Sequence, residues 1–475
     1  MVKINLLKSI DLEKLLNINI AEYGYKNREN QSTKVRGEEE TYRTSLRRQR
    51  DKILYTGGFR RLQDKTQVIS ATISGDHRTR LTHTLEVEQI AVSIANALSL
   101  NADLVSAIAL GHDVGHTPFG HAAERKLSEL LKDCGEFHHP IQSVRYLWEK
   151  YGSKIEPEIY EGILLHDSDM FGIEKNIVKE QLANIKELEG EDKKLEKWVK
   201  IGDWINNFPS TLEAQVVIWA DKIAYITHDL EDFLRSSAYI NLQKNNDKIE
   251  TTLCKHLTDL VGEEIKKSEA FELRDLIRNI IDNLIKSSVK NISNENNVVQ
   301  EKVQEITKKR SKEYEKCSAK KKYLNSLIIN FDNDYRNKYY DLRKFLDDYY
   351  ISSPEVQRSD AKAQVIVEWL FNILTGNYKL MPLDIRREID KLIKKYDDAS
   401  GKKYSGLPTG QQDASHFEKE IKENGNREES KEFEKEEIKR KIIYRKVATY
   451  IATMSDAYAE RIYRNLIGSK VDFIL

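Results

Sequence analysis

Cysteine, net charge and long apolar runs are what this sequence has least of. The 475 residues include only Cys134, Cys254 and Cys317. These lie far apart, with no CxxC pair, so neither a disulfide framework nor a thiolate metal site organises the fold. The 77 Lys and Arg are balanced by 77 Asp and Glu. A protein that wraps nucleic acid carries a basic surplus, which leaves room only for a local patch such as residues 43–61. No apolar run approaches the ~20 residues of a membrane span, and the mean hydropathy is −0.62. The opening MVKINLLKSIDLEKLL is too charged for a secretory signal. A cytoplasmic protein with no membrane association is expected. Proline and glycine are also scarce, at 7 and 21, which favours long helices over strands and turns.

What is present reads as all-α. Apolar residues recur at helical intervals over 81–98, 103–110 and 211–234. Thr117-Pro118 reads as a cap and first-turn proline opening a helix through Leu131. Residues 66–74 are the one candidate for a short strand. Residues 1–240 form an expected core, with a Lys/Glu-rich solvated insertion at about 170–207. Residues 241–350 read as an accessory charged helical region and a candidate oligomer surface. Residues 351–475 read as a C-terminal helical region packing on the core, with a flexible polar loop at about 398–441 and a closing helix over 442–467.

Histidine is distributed unevenly. Nine of the 11 lie between His77 and His228, whereas structural histidines scatter. The densest stretch is residues 110–124, LGHDVGHTPFGHAAE. Adjacent helical residues diverge by about 100°, but His112 and Asp113 at an opening helix end can both turn toward one ion. A buried carboxylate needs a partner, and a divalent cation is a natural one. His83 offers a second imidazole. Asp221, set in the apolar run VVIWADKIA, offers a second carboxylate. Each residue alone is weak, since a lone histidine on a helix is more often simply packed. Together they make a nitrogen and oxygen donor set suited to Mn, Mg, Fe, Zn or Co.

The order H…HD…D resembles the HD superfamily of metal-dependent phosphohydrolases. Longer blocks resemble its deoxynucleoside triphosphate triphosphohydrolase branch, the dGTPases: YRTSLRRQRDKILYTGGFRRLQDKTQV, DHRTRLTHTLEVEQIAVSIA, ALGHDVGHTPFGHAAE, FHHPIQSVRYL, EGILLH, PSTLEAQVVIWADKIAYITHDLEDFLRS and VATYIATMSDAYAERIY. The resemblance implies an HD-domain helical core in which His83, His112, Asp113 and Asp221 hold a divalent metal, Mn or Mg foremost. It implies catalysis by His121, oriented by Glu124, and triphosphate contacts from Arg80, His116 and Lys222. Tyr225 and Asp229 would read the deoxyribose, in a stripe with Asp221 at i, i+4 and i+8. A sugar-contacting glutamine falls on Gln63, with Gln67 close enough to leave the register open. A further pocket histidine falls on His138 or His139, where HHPIQS replaces a more usual asparagine-containing run.

The implied reaction is water attack at the α-phosphate of a dNTP, dGTP favoured, releasing deoxynucleoside and tripolyphosphate. The 5′ oxygen is a poor leaving group, and His121 is the side chain suited to protonate it near neutral pH. The resemblance also implies a homo-oligomer, often a hexamer, and activation by a nucleotide or single-stranded DNA. Two rivals stay open. One is another HD phosphohydrolase, such as a nucleotidase or a cyclic-nucleotide or ppGpp hydrolase. The other is a non-catalytic nucleotide-sensing or single-strand-binding regulator.

Overall fold

The computed structural model describes residues 8–27, 42–67, 78–167, 208–245, 247–267, 272–310, 327–404 and 435–467. The first helices are α1 (Ser9–Asn19), α2 (Ser45–Leu54), α3 (Gly57–Arg61), α4 (Arg80–Ala97), α5 (Ala102–Gly111), α6 (Gly120–Leu130), α7 (His139–Tyr151) and α8 (Pro157–Leu164). They continue as α9 (Leu212–Arg235), α10 (Ser237–Asn245), α11 (Asp247–Val261), α12 (Leu273–Arg310), α13 (Asn333–Leu346), α14 (Pro354–Gly376) and α15 (Leu383–Tyr404), then α16 (435–452) and α17 (Asp456–Ile467). The fold is all-α, as expected. Among the described residues the only extended pairing is one isolated bridge between Thr66 and Thr79. The rest of the candidate strand, the charged insertion and most of the polar loop lie outside the described residues.

Local chemistry starts the helices that matter. Thr79, Asn101 and Thr211 accept hydrogen bonds from Thr82, Leu104 and Ala214, capping α4, α5 and α9. Burial then locks them together. Along α9, Val216, Val217, Trp219, Ala220, Ile223 and Ala224 are all buried. Each large apolar side chain contributes about 1.5–3 kcal/mol when fully buried. That fixes α9 against α4 and α5 and carries Asp221 to His83.

The same core runs on into residues 241–350. Leu253, Leu257 and Leu260 of α11, Leu276 and Ile280 of α12, and Leu342 and Leu346 of α13 all join it. The sparse apolar spacing of that stretch is one buried face per helix. A second apolar cluster gathers Ala123, Leu127 and Leu131 of α6 and its end, Val367 and Leu370 of α14, and Val447, Ile451 and Ala459 of the C-terminal pair. The stretch that opens with Gly111 and closes with α6 therefore passes from one core to the other.

Two expected helix boundaries move. The helix expected at Thr117-Pro118 opens at Gly120. Thr117 Oγ1 donates to the Gly120 carbonyl at 2.9 Å, and Phe119 takes a left-handed φ of +58°. The closing helix expected over 442–467 is two helices. The chain turns at 453–455, and Ser455 accepts from Tyr458 N at 3.3 Å to restart it. No helix among the described residues is long and apolar enough to cross a membrane.

Candidate active site

Four side chains converge where α4, α5 and α9 meet. His83 Nε2 lies 2.9 Å from Asp221 Oδ1. His112 Nε2 lies 3.6 Å from Asp113 Oδ2 and 3.8 Å from Asp221 Oδ1. Donors bound at ~2.1 Å to one ion sit roughly 3–3.5 Å apart, so these separations are compatible with a divalent-metal shell, and His166 lies within the same reach of His112 and Asp221. Hydrogen bonds outside the shell point the lone pairs inward. His112 Nδ1 donates to the Ala109 carbonyl at 2.6 Å. That leaves Nε2 as an acceptor, buried with no hydrogen-bond partner. His228 Nε2 donates to Glu86, and its Nδ1 lies 3.3 Å from His83 Nδ1. Burial, against the pull of Glu86, pushes His228 down to about 4. A neutral His228 accepts from His83, which turns the His83 Nε2 lone pair toward Asp221. An orphaned imidazole nitrogen and a second one facing a carboxylate are what a divalent cation satisfies.

Electrostatics keep both carboxylates ionised. Burial alone would raise Asp113, but His112, Arg80, His116 and His139 hold it well below the usual range. Burial opposes Asp221 too, but the imidazoles of His83, His112 and His166 around it bring it well below the usual range. Gly115 seats the ligand turn. A Cβ there would lie 2.2 Å from Ser143 N, while Ser143 Oγ donates to the His112 carbonyl at 2.7 Å.

Beside the donors stands a line of hydrogen-bonded side chains. His121, partly exposed to the cavity, places Nδ1 3.1 Å from Glu124 Oε2. Glu124 Oε1 accepts from His139 N at 2.7 Å and faces His139 Nδ1 at 2.9 Å. His139 Nε2 lies 3.2 Å from His166 Nε2. His166 Nδ1 donates to the Ile163 carbonyl at 2.7 Å, so its Nε2 accepts. Burial together with His112 and His139 pushes His166 down to about 4, consistent with that tautomer. His139 therefore donates from both nitrogens. Burial would lower it, but Glu124 and Asp113 raise it to about 9. Its stabilising pair with Glu124 is fully present below the ordinary histidine value of ~6.5 and is lost as pH rises through about 9. The melting midpoint of chelator-treated protein should fall across that window. His139→Asn should flatten the fall, and identical profiles for the two proteins would remove the pair from the account.

The implied substrate contacts divide. Arg80, Lys222, Tyr225 and His138 line one cavity of about 690 Å³ together with His121 and Glu124. Arg80 Nη1 is bonded to Asp113 Oδ2 at 2.7 Å. His116 is instead fully buried, stacked at 4.5 Å on His139, and driven well down by burial and by Arg80. It is absent from the lining of that cavity, and burial disfavours the charge a phosphate contact would use. Gln63 is exposed and away from the cavity, whereas Gln67 lines it. Asp229 is wholly buried and does not line that cavity; its Oδ2 accepts from Arg343 Nη1 at 2.7 Å. Arg343 does face the cavity, with its guanidinium 4.3 Å above the Tyr225 ring. Sequence reasoning passed over His166 and Arg343. The block EGILLH held the signal for the first. The second sat in a charged stretch, 114 positions from its partner.

The comparisons follow this geometry. The HD domain model matches residues 80–226, which span all four donors, and the phosphohydrolase-associated domain matches residues 329–399, which include Arg343. A deoxyguanosinetriphosphate triphosphohydrolase-like protein of Rickettsia bellii (strain RML369-C) is 33% identical over 358 residues, covering 74% of this chain and 84% of that protein. The chain belongs to the deoxyguanosinetriphosphate triphosphohydrolase-like family. Other members, from Rickettsia felis and Rickettsia typhi, are 31% and 32% identical over the same shares of each chain. A triphosphohydrolase-like protein with this donor set is a metal-dependent phosphohydrolase.

Proposed function

We propose that the protein hydrolyses deoxynucleoside triphosphates, dGTP foremost, to deoxynucleoside and tripolyphosphate. The observation that carries this reading is His121 and Glu124 facing into the cavity that three of the proposed cation donors, His83, Asp113 and Asp221, also line. The names of its relatives support the substrate. Mn or Mg is the expected ion, held by His83, His112, Asp113 and Asp221, and the donor types also admit Fe, Zn or Co. When bound, such an ion supplies Lewis acidity toward a phosphoryl oxygen and toward water.

The chain's own residues do the rest. Arg80 and Lys222 offer positive charge to the phosphates. Tyr225, backed by Arg343, offers a flat wall for the sugar end. The bond that breaks joins the α-phosphorus to the 5′ oxygen of the sugar, and the leaving oxygen takes up a proton. His121 donates it from Nε2, while Nδ1–H stays on Glu124. Burial opposes the Glu124 charge, but His139, the His121 hydrogen bond and His116 hold it well below the usual range. Glu124 is thus a fixed anion that holds the Nδ1–H of His121 and keeps Nε2 turned toward the cavity.

A panel of four dNTPs and four NTPs tests the reading, with Mn or Mg and with or without a second nucleotide. Tripolyphosphate with deoxynucleoside, dGTP turned over fastest, is expected. Orthophosphate or pyrophosphate as the product would assign the site to another HD chemistry. No turnover of any nucleotide would favour a sensing role.

A further inference from the structure

Two stretches far apart in sequence, residues 65–67 and 454–459, meet directly behind the loop that leads into His121. Lys65 is fully buried. Its Nζ donates to the His116 carbonyl at 2.5 Å and to the Ala452 carbonyl, at the end of α16, at 2.7 Å. Asp456, buried at the start of α17, uses both carboxylate oxygens. Oδ1 accepts from Phe119 N at 2.8 Å, and Oδ2 accepts from Thr66 N at 2.9 Å and from the Thr66 hydroxyl. The loop so held is not relaxed. Phe119 and Gly120 both have positive φ, +58° and +64°. Phe119 enters α6 with no side-chain cap. A Cβ on Gly120 would lie 3.0 Å from the Gln67 carbonyl, so the loop lies hard against the Thr66 segment. Left-handed backbone at a bulky residue persists only where its surroundings over-determine it.

The cation donors grow from the first core, whereas α6, with His121 and Glu124, packs in the second. Something must set the distance between them. We propose that Asp456, with Lys65, is a positioning residue that clamps loop 116–120 to the C-terminal helix pair and thereby sets where His121 stands relative to the donors. This rests on the role of His121 proposed above. Asp456 is suited to the task because all three of its bonds are accepted from donors. No orientation of an asparagine amide could accept from both Phe119 N and Thr66 N.

Asp456→Asn is the test, with Val447→Ala as a control. Val447 is buried in the same helix pair and has no bond to the loop. Misplacement of a reacting group by about 1 Å costs up to ~100-fold, so kcat of Asp456→Asn should fall roughly 10- to 100-fold. KM and cation affinity, read by calorimetry, should move less than about 3-fold. The limb of the kcat–pH profile that reports the acid should shift. Asp456→Glu should recover most of the rate, and Lys65→Met should fall in the same direction as Asp456→Asn. Val447→Ala, compared at equal loss of melting temperature, should keep both its pH profile and its kcat. The clamp is refuted if Asp456→Asn matches Val447→Ala in rate and profile, or if its loss lies in cation affinity. Labelled histidine resonances give a readout without substrate. The His121 signal should move in Asp456→Asn and stay in Val447→Ala, so the clamp stands or falls even if dNTP turnover is absent from the wild-type protein.

Discussion

Asp221→Asn should weaken divalent-cation binding by well over the ~10–100-fold typical of outer partners and lower turnover by ~1000-fold, about 4 kcal/mol of barrier. The size follows from the surroundings. Asp221 Oδ1 faces both imidazoles, 2.9 Å from His83 Nε2 and 3.8 Å from His112 Nε2. Those two nitrogens present lone pairs, and only negative charge opposite them makes a place for a cation. An amide keeps the shape and removes the charge. The fold should survive, because the α9 residues that lock the core are Val216, Val217, Ile223 and their neighbours, while Asp221 faces the cavity. Titration of Mn into the variant, followed by the tripolyphosphate assay, checks both parts. Cation affinity within a few-fold of the wild type would take Asp221 out of the donor set.

His121→Gln should cost kcat a factor in the ~100- to 10,000-fold range expected for a lost general acid. Cation affinity should hold, since His121 contacts Glu124 and not the four donors. The decisive comparison uses the leaving group. A nitrophenyl triphosphate expels an anion that needs no proton, so the variant should approach the wild-type rate on it. An equal defect on both substrates would mean that His121 binds or aligns the substrate rather than protonating the leaving oxygen. Glu124 has its own part in this. Without it His139 would keep its inward hydrogen bond to His166 and lose its hydrogen-bonded counter-charge, leaving only Asp113 at 3.7 Å to offset a buried cation.

Legibility from sequence tracked the range of the interaction. His112 and Asp113 could be read because an apolar helix visibly ends on them. Asp221 stood out because its neighbours on α9 are apolar, and the capping residues of α4 and α9 mark where those helices begin. The stripe of Asp221, Tyr225 and Asp229 was legible as a stripe, but not its ends. Tyr225 faces the cavity and Asp229 does not, because Arg343 arrives from α13 to claim the buried carboxylate. Helical spacing carries no information about a partner 114 positions away. The opening of α6 was misplaced for the same reason. Thr117-Pro118 has the local grammar of a helix start, but Asp456, 337 positions later, holds Phe119 in a turn first. Gln63 and Gln67 share one register ambiguity in the sequence, and of the two it is Gln67 that lines the cavity.

The seating of the proposed cation donors and of His121 on separate apolar bodies has a consequence for durability under the proposed function. Chemistry here needs both bodies intact and in register, so it lasts only as long as the less robust of the two. Under the proposed function, a protein worn at its carboxyl-terminal body would go on gripping its ion and lose the means to use it.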